Sequence, residues 1–169
     1  MIRAAILTLS DRGAAGMRED ESGRLIGEII SGIGAVVHHA EVLPDERQVI
    51  VTSLRNLADS GTIDLILTTG GTGVSPRDVT PEATREVIDR ELPGMAEAMR
   101  AESFKITPHA VISRAVAGIR GETLIINLPG SPRAVRENLA VVLPALPHAI
   151  AKIRGDMNDC GGVAQDKGS

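Results

Sequence analysis

"DLILTTGGTGVSPRDVTPEAT", residues 64–84, decides the fold. Its first part is short and almost wholly apolar, as expected for a strand covered on both faces. Gly70, Gly71 and Gly73 then crowd one turn, Asp78 follows in a polar loop, and Thr80-Pro81 opens a helix. Strand, glycine turn and helix make one βα unit, and its companions lie on either side of it.

Upstream, "RAAILTLSD" reads as a buried strand ending in polar Ser10-Asp11. "ESGRLIGEIISGI" places Leu25, Ile26, Ile29, Ile30 and Ile33 on one helical face, with Ser22 as the cap and Gly34 as the stop. "AVVHHAEVL" is a second strand, and Pro44-Asp45-Glu46 a turn. Ile50, Leu54, Leu57 and Ala58 then mark a second amphipathic helix that ends at Gly61.

Downstream, helices are expected over Pro81–Arg90 and about Pro93–Phe104. "HAVISRAVAGIRGETLIINLPGS" resembles two strands joined at Arg120-Gly121, the second running straight into Pro129-Gly130-Ser131. Ser131-Pro132 is a cap followed by Pro at the first helical position, and Pro144 and Pro147 punctuate a last helix ending near Arg154. The tail from 156 to 169 has no apolar periodicity and reads as flexible. Strands alternating with helices imply an α/β sandwich with a mostly parallel sheet and one antiparallel strand, in a single domain over residues 1–155.

Composition narrows the function. A chain of 169 residues, 43 % apolar and 24 % charged, is large enough for a real core and too apolar for disorder. With one Phe and no Trp or Tyr, the core must come from Ala, Val, Leu and Ile, with Phe104 as a lone large filler. The same scarcity argues against stacking nucleic-acid bases, and a net charge of −4 gives no overall field for anions. Cys160 is the only cysteine, so no disulfide or Cys/His metal spacing exists, and it reads as incidental. The apolar run Ala4–Leu9 is too short for a secretory signal or a membrane span, so a cytoplasmic protein without nucleic-acid or membrane partners is expected. His38 and His39 share a strand, point to opposite faces and read as surface or packing residues.

Ligands of such sheets bind beyond the carboxyl ends of the strands. Three loops there carry informative residues: Ser10-Asp11, Thr69 to Thr80, and Leu128 to Ser131; Pro44-Asp45 can join them. Glycine-turn amides and helix N-termini suit a phosphorylated ligand. Yet no Lys follows Gly73, and Pro76 occupies the last glycine position of a dinucleotide fingerprint. For any one loop taken singly, glycines that merely permit a tight turn are the stronger reading. Asp78 weighs against it, since a carboxylate beside a phosphate cradle calls for an intervening cation such as Mg²⁺, with Asp45 as second carboxylate. Asp is also common in turns and caps, so the residues alone leave both readings open.

"LTLSD", "GMREDESG", "LPDE", "TTGGTGVSPRDVTPEAT", "ISR" and "INLPGSPRAVRE" stand in the order and approximate spacing of the molybdopterin adenylyltransferase (Mog/MoaB) family, to which the gephyrin and plant molybdenum-cofactor G domains are related. The resemblance spans residues 2 to about 153. It implies a homotrimeric, three-layer α/β/α enzyme that joins molybdopterin's terminal phosphate to AMP from ATP, releasing pyrophosphate with Mg²⁺. Transfer of the product to a molybdenum insertase is a further implication.

By resemblance, the functional aspartates fall on Asp45 and Asp78, which would hold the magnesium. Substrate or nucleotide contacts fall on Ser10, Asp11, Thr69, Gly70, Gly71, Thr72, Gly73, Thr80, Pro81, Glu82, Ser113, Arg114, Pro129, Gly130, Ser131 and Arg133. Arg133 stands where some relatives carry Lys, offering a planar fork in place of a point charge. Arg114 could instead be an ion-pair partner, and Glu82 could simply favour its helix dipole. The alternative function is a non-catalytic molybdopterin carrier of the same family. A third is the related domain of molybdenum insertases or nicotinamide-nucleotide-processing proteins, which are usually longer chains.

Overall fold

A computed structural model describes residues 1–157. Cys160 and most of the expected tail lie outside the described residues. The strands are β1 (Ile2–Leu9), β2 (Ala35–Leu43), β3 (Leu65–Thr69), β4 (Arg90–Glu91), β5 (Ala117–Arg120) and β6 (Thr123–Leu128). The helices are α1 (Asp11–Ala14), α2 (Glu21–Ser31), α3 (Arg47–Asp59), α4 (Thr80–Val87), α5 (Pro93–Phe104), α6 (Pro132–Val142) and α7 (Leu146–Ile153).

The six strands form one sheet in the order β2-β1-β3-β6-β5-β4. β2, β1, β3 and β6 are mutually parallel, and β5 runs antiparallel to both of its neighbours. Alternation along the strands divides the core in two. Ala4, Ile6, Leu65, Leu67, Leu124 and Ile126 meet Ile26 and Ile30 of α2, Met99 of α5, Val135 and Leu139 of α6, and Ile150 of α7. Ala5, Leu7, Ile66 and Ile125 meet Ile50 and Leu54 of α3 and Ala83 and Val87 of α4. Helices therefore cover both faces, giving three layers of α/β/α type, and the central strands are apolar on each side.

Several expectations need correction. The cap of α2 is Asp20, whose side chain accepts from the Gly23 amide at 2.8 Å, while Ser22 lies inside the helix. The helix opened by Thr80-Pro81 stops at Val87: Ile88 turns extended, and Arg90 and Glu91 pair with Ile119 and Gly118 as a short edge strand. His109–Ile112 belong to a 3₁₀ turn, because Thr107-Pro108 caps and starts it; the strand begins only at Ala117. Phe104 is 55 % exposed and fills no core, a place taken by Met99 one turn earlier. A register shift opposite Ala4 and Ala5 leaves His38 without a partner on β1; His38 is exposed and His39 half-buried, in keeping with the surface or packing role read for them. No helix among the described residues is long and apolar enough to cross a membrane.

Candidate active site at the carboxyl edge of the sheet

Register brings the loops together. Leu9 lies opposite Leu43, Thr8 opposite Thr69, and Thr69 opposite Leu128, so the loops after β1, β2, β3 and β6 leave one edge. The chain goes from β1 to β2 on one side and returns across to β3 on the other, making the β1–β3 boundary a switch point of the kind that opens a ligand crevice.

The glycine turn is held from several directions. Gly70 has φ +95°, and a Cβ there would collide with the Leu9 carbonyl, so only glycine lets β3 turn this close to β1. The Gly70 amide donates to Leu128 O at 3.2 Å, and Thr69 Oγ1 donates to Pro129 O at 2.7 Å. Thr80 is fully buried; its hydroxyl donates to Gly70 O and its amide to Gly71 O, at 2.9 and 3.2 Å. Thr80 and buried Pro81 thus sit beneath the turn, where they shape it.

Arg114 works from the other side. Its amide donates to Thr72 O at 2.8 Å, and its guanidinium donates to the carbonyls of Gly73 and Asp78, each at 2.6 Å, and pairs with Glu82. Those bonds from Arg114 hold the Glu82 carboxyl below its ordinary range. The two side chains staple the 72–78 segment to the start of α4. Arg133 is exposed and pairs with Glu137 along α6 at 2.9 Å.

The carboxylates converge on this turn. Asp45 Oδ2 accepts from the Asp11 amide at 3.0 Å, and Asp11 Oδ1 accepts from the Asp45 amide at 2.9 Å, a reciprocal clasp between the β1 and β2 loops. Asp78 Oδ2 accepts from the Ser75 amide at 2.9 Å and lies against Gly73. Asp45 Oδ1 lies against Gly71. Burial pushes the Asp45 carboxyl up, and the charges of Asp11 and Asp78 push it further, against the opposing pull of the Asp11 amide and Arg77. Asp11 goes the other way, held down by the Arg77 guanidinium and the Asp45 amide.

Two hollows flank the turn. One, of about 220 Å³, is lined by Thr8, Ser10, Arg18, Asp20, Ser22, Thr69, Gly70, Gly130 and Ser131. The other, of about 240 Å³, is lined by Thr72, Gly73, Arg100, His109, Ser113, Pro129 and Asn138. Ser10 caps α1 through the Gly13 amide at 3.0 Å, and Ser131 caps α6 through the Ala134 amide at 3.2 Å. Sequence reasoning singled out the turn and its rims but missed Arg18, Asp20, Ser22 as a wall residue, Arg77, Arg100 and His109. Signals existed for some: Arg18, Asp20 and Ser22 stand in "GMREDESG", and Arg77 immediately precedes Asp78.

Among the described residues no group of three or more His, Cys, Asp or Glu side chains forms a metal cage. Magnesium does not require one, since it is commonly held by one or two carboxylates with phosphates and water completing its shell. Asp45, from the loop after β2, and Asp78, from the loop after β3, bring hard oxygen donors against the same glycine turn, and the charge that burial disfavours at Asp45 is what a cation would relieve. The residues fit the ion.

Comparison with known proteins places the chain in a family. A family model described as a probable molybdopterin binding domain matches residues 5–148. The molybdopterin adenylyltransferase of Helicobacter pylori (strain J99) is 45 % identical over 157 residues, covering 92 % of this chain and 89 % of that protein. The molybdopterin biosynthesis enzyme MoaB from Thermus thermophilus superposes with a TM-score of 0.87 at 53 % identity, covering 92 % of this chain and 98 % of that one. The tungsten cofactor synthesizing protein MoaB from Pyrococcus furiosus gives 0.82 at 34 % identity over 90 % and 97 %. With the family model spanning nearly the whole described chain and relatives this similar over most of their length, the protein belongs to the Mog/MoaB family of molybdopterin-binding proteins.

Proposed function

We propose that the protein is a molybdopterin adenylyltransferase, its reaction domain lying within residues 1–155. The observation that carries this reading is the pair Asp45 and Asp78, set on a glycine turn between two hollows. Two hollows on either side of one turn suit two substrates that must meet, a phosphorylated pterin and ATP. An oxygen of molybdopterin's phosphate attacks the α-phosphorus of ATP in line. A P–O bond forms there, the α–β bridge breaks, and pyrophosphate leaves with its electron pair.

Catalysis in such a transfer is positioning and charge neutralisation. The amides of Gly71, Thr72 and Gly73, and that of Arg133 at the start of α6, bind phosphate oxygens, Ser10 and Ser113 line the rims, and Asp11 orients Asp45. Bound by Asp45 and Asp78, magnesium would neutralise charge on the triphosphate. Arg114, Glu82, Thr80 and Pro81 act through the shape of the loop.

By the family resemblance we further infer a cytoplasmic homotrimer that passes its product to a molybdenum insertase. The exposed apolar side chains of Phe104, Ile106, Val111 and Ile112 at the α5 corner support self-association.

The test is incubation of the protein with molybdopterin, ATP and Mg²⁺, followed by detection of adenylylated pterin and pyrophosphate. Asp45→Ala and Asp78→Ala should each lower the rate about 100-fold or more without changing the oligomer. Pterin bound tightly with no product would establish a carrier instead, and unchanged rates in both variants would overturn the roles given to the two aspartates.

A further inference from the structure

Arg77 precedes Asp78 in the 70–78 loop and reaches across to the β1 loop, where it forks onto Asp11. Nε donates to Oδ2 at 3.0 Å and Nη2 to Oδ1 at 2.8 Å. The side chain is 59 % exposed, and an ion pair so placed contributes little to stability. Its location gives it another use. The Asp11 carboxylate that Arg77 grips is also the one that accepts from the Asp45 amide, and the Asp11 amide in turn holds Asp45 Oδ2. Asp78, the next residue after Arg77, is folded back onto the Ser75 amide. A chain of bonds thus runs from the loop of Asp78, through Arg77 and Asp11, to Asp45. It joins two carboxylates that follow different strands and share no direct bond.

We propose that Arg77 is a positioning residue for the magnesium–nucleotide site, its two-pronged bond to Asp11 setting the Asp78 loop against the Asp45 loop. This rests on the adenylyltransferase reading above and adds to it a residue that acts through Asp11. Fixing a carboxylate by an outer partner typically matters about 10- to 100-fold in metal affinity. A guanidinium fork can define an orientation in a way that the ammonium of lysine, a point charge on a flexible stem, does not.

Calorimetric titration of the full chain with α,β-methylene-ATP in Mg²⁺ tests this without depending on turnover. Arg77→Ala should weaken binding by about 10-fold, Arg77→Lys should recover only a small part, and the thermal midpoint should hold in both. Because Arg77 and Asp11 act in one chain, Arg77→Ala combined with Asp11→Asn should bind no worse than the weaker single variant. Wild-type binding in Arg77→Ala, full recovery by Arg77→Lys, penalties that multiply in the double variant, or a matching fall in thermal midpoint would each overturn the proposal. A wild-type chain that fails to bind the analogue would refute the adenylyltransferase reading, and this role with it. Equal binding by wild type and Arg77→Ala would remove Arg77 alone.

Discussion

At Asp45 the fold keeps a carboxylate where burial and the neighbouring charges of Asp11 and Asp78 disfavour its ionisation. The sign of the consequence follows from linkage. A folded-state pKa raised above the unfolded value means that the native state binds the proton more tightly, so stability is greatest below the unfolded pKa and is lost as pH rises through the folded one. At neutral pH the Asp45 charge therefore costs stability. Asp45→Asn, which keeps the shape and can still accept from the Asp11 amide, should raise the thermal midpoint at pH 7 while removing pyrophosphate release, the usual trade at a functional residue. A lowered midpoint would show that the carboxylate supports the fold. Gly71 offers a second contrast. It sits at φ +66°, and a Cβ there would clash with Thr80 Oγ1 and press on Asp45 at 3.2 Å. Gly71→Ala should cost about 1–3 kcal/mol in urea unfolding and disturb activity. Gly94→Ala, in α5 with open space around it, should be neutral or stabilising by up to about 1 kcal/mol.

Elements are tied beneath the site by a fully buried polar network around Asn127 of β6. Its Nδ2 donates to Thr68 Oγ1 of β3 at 3.0 Å and to Thr84 Oγ1 of α4 at 2.9 Å, and its Oδ1 accepts from the Val116 amide at 3.1 Å. Thr84 Oγ1 in turn donates to Thr80 O at 2.9 Å, and Thr80 is the residue whose hydroxyl holds Gly70. Asn127→Ala would leave the Val116 amide and two hydroxyls short of a buried partner, a loss of about 2–4 kcal/mol measurable as a lower urea midpoint. A shift below the error of the measurement would mean that water enters and replaces the amide. Sequence pattern was enough for β1, β2, β3 and β6, for the Ser131 cap and for the loops that gather at the site, because each follows from local chemistry. It was insufficient where the deciding partner lay elsewhere. Asp20 takes the cap of α2 while Thr8 of β1 donates to it at 2.8 Å, and Ser22 is drawn instead to Gly130 O, also at 2.8 Å. α4 ends early because β5 offers an edge to pair with. Arg77 finds its partner 66 residues away, which no local pattern announces.

For the whole molecule, the near-absence of aromatics is met by two aliphatic cores on either side of the sheet, which leave Phe104 outside both. The first and last parts of the described chain are joined at the opposite edge of the sheet from the site. Asp64, 3 % exposed just ahead of β3, accepts from the Arg3 amide at 2.7 Å and from the Arg3 guanidinium at 3.0 and 2.7 Å, and also pairs with Arg154 beyond α7. Burial alone would raise this carboxyl, but the bonds from Arg3 and Arg154 outweigh it and hold the group far below the ordinary carboxylate range. Here the linkage runs opposite to Asp45: the depressed group stabilises the fold above the unfolded value, about 3.9, and that contribution is lost as pH falls towards the folded one. Asp64→Asn removes the charge and leaves two guanidiniums beside each other. The cost at pH 7 should be about 2 kcal/mol, less than for a wholly buried pair, because Arg3 and Arg154 remain 35 and 36 % exposed. Urea midpoints of wild type and variant should differ most at pH 7 and draw together as pH falls below about 4, where the unfolded chain takes up the proton before the folded one does. Nucleotide binding at the far edge should stay unchanged. A gap that persists undiminished to about pH 3 would mean that packing, and not the charge of Asp64, holds the end of α7 to the start of the sheet.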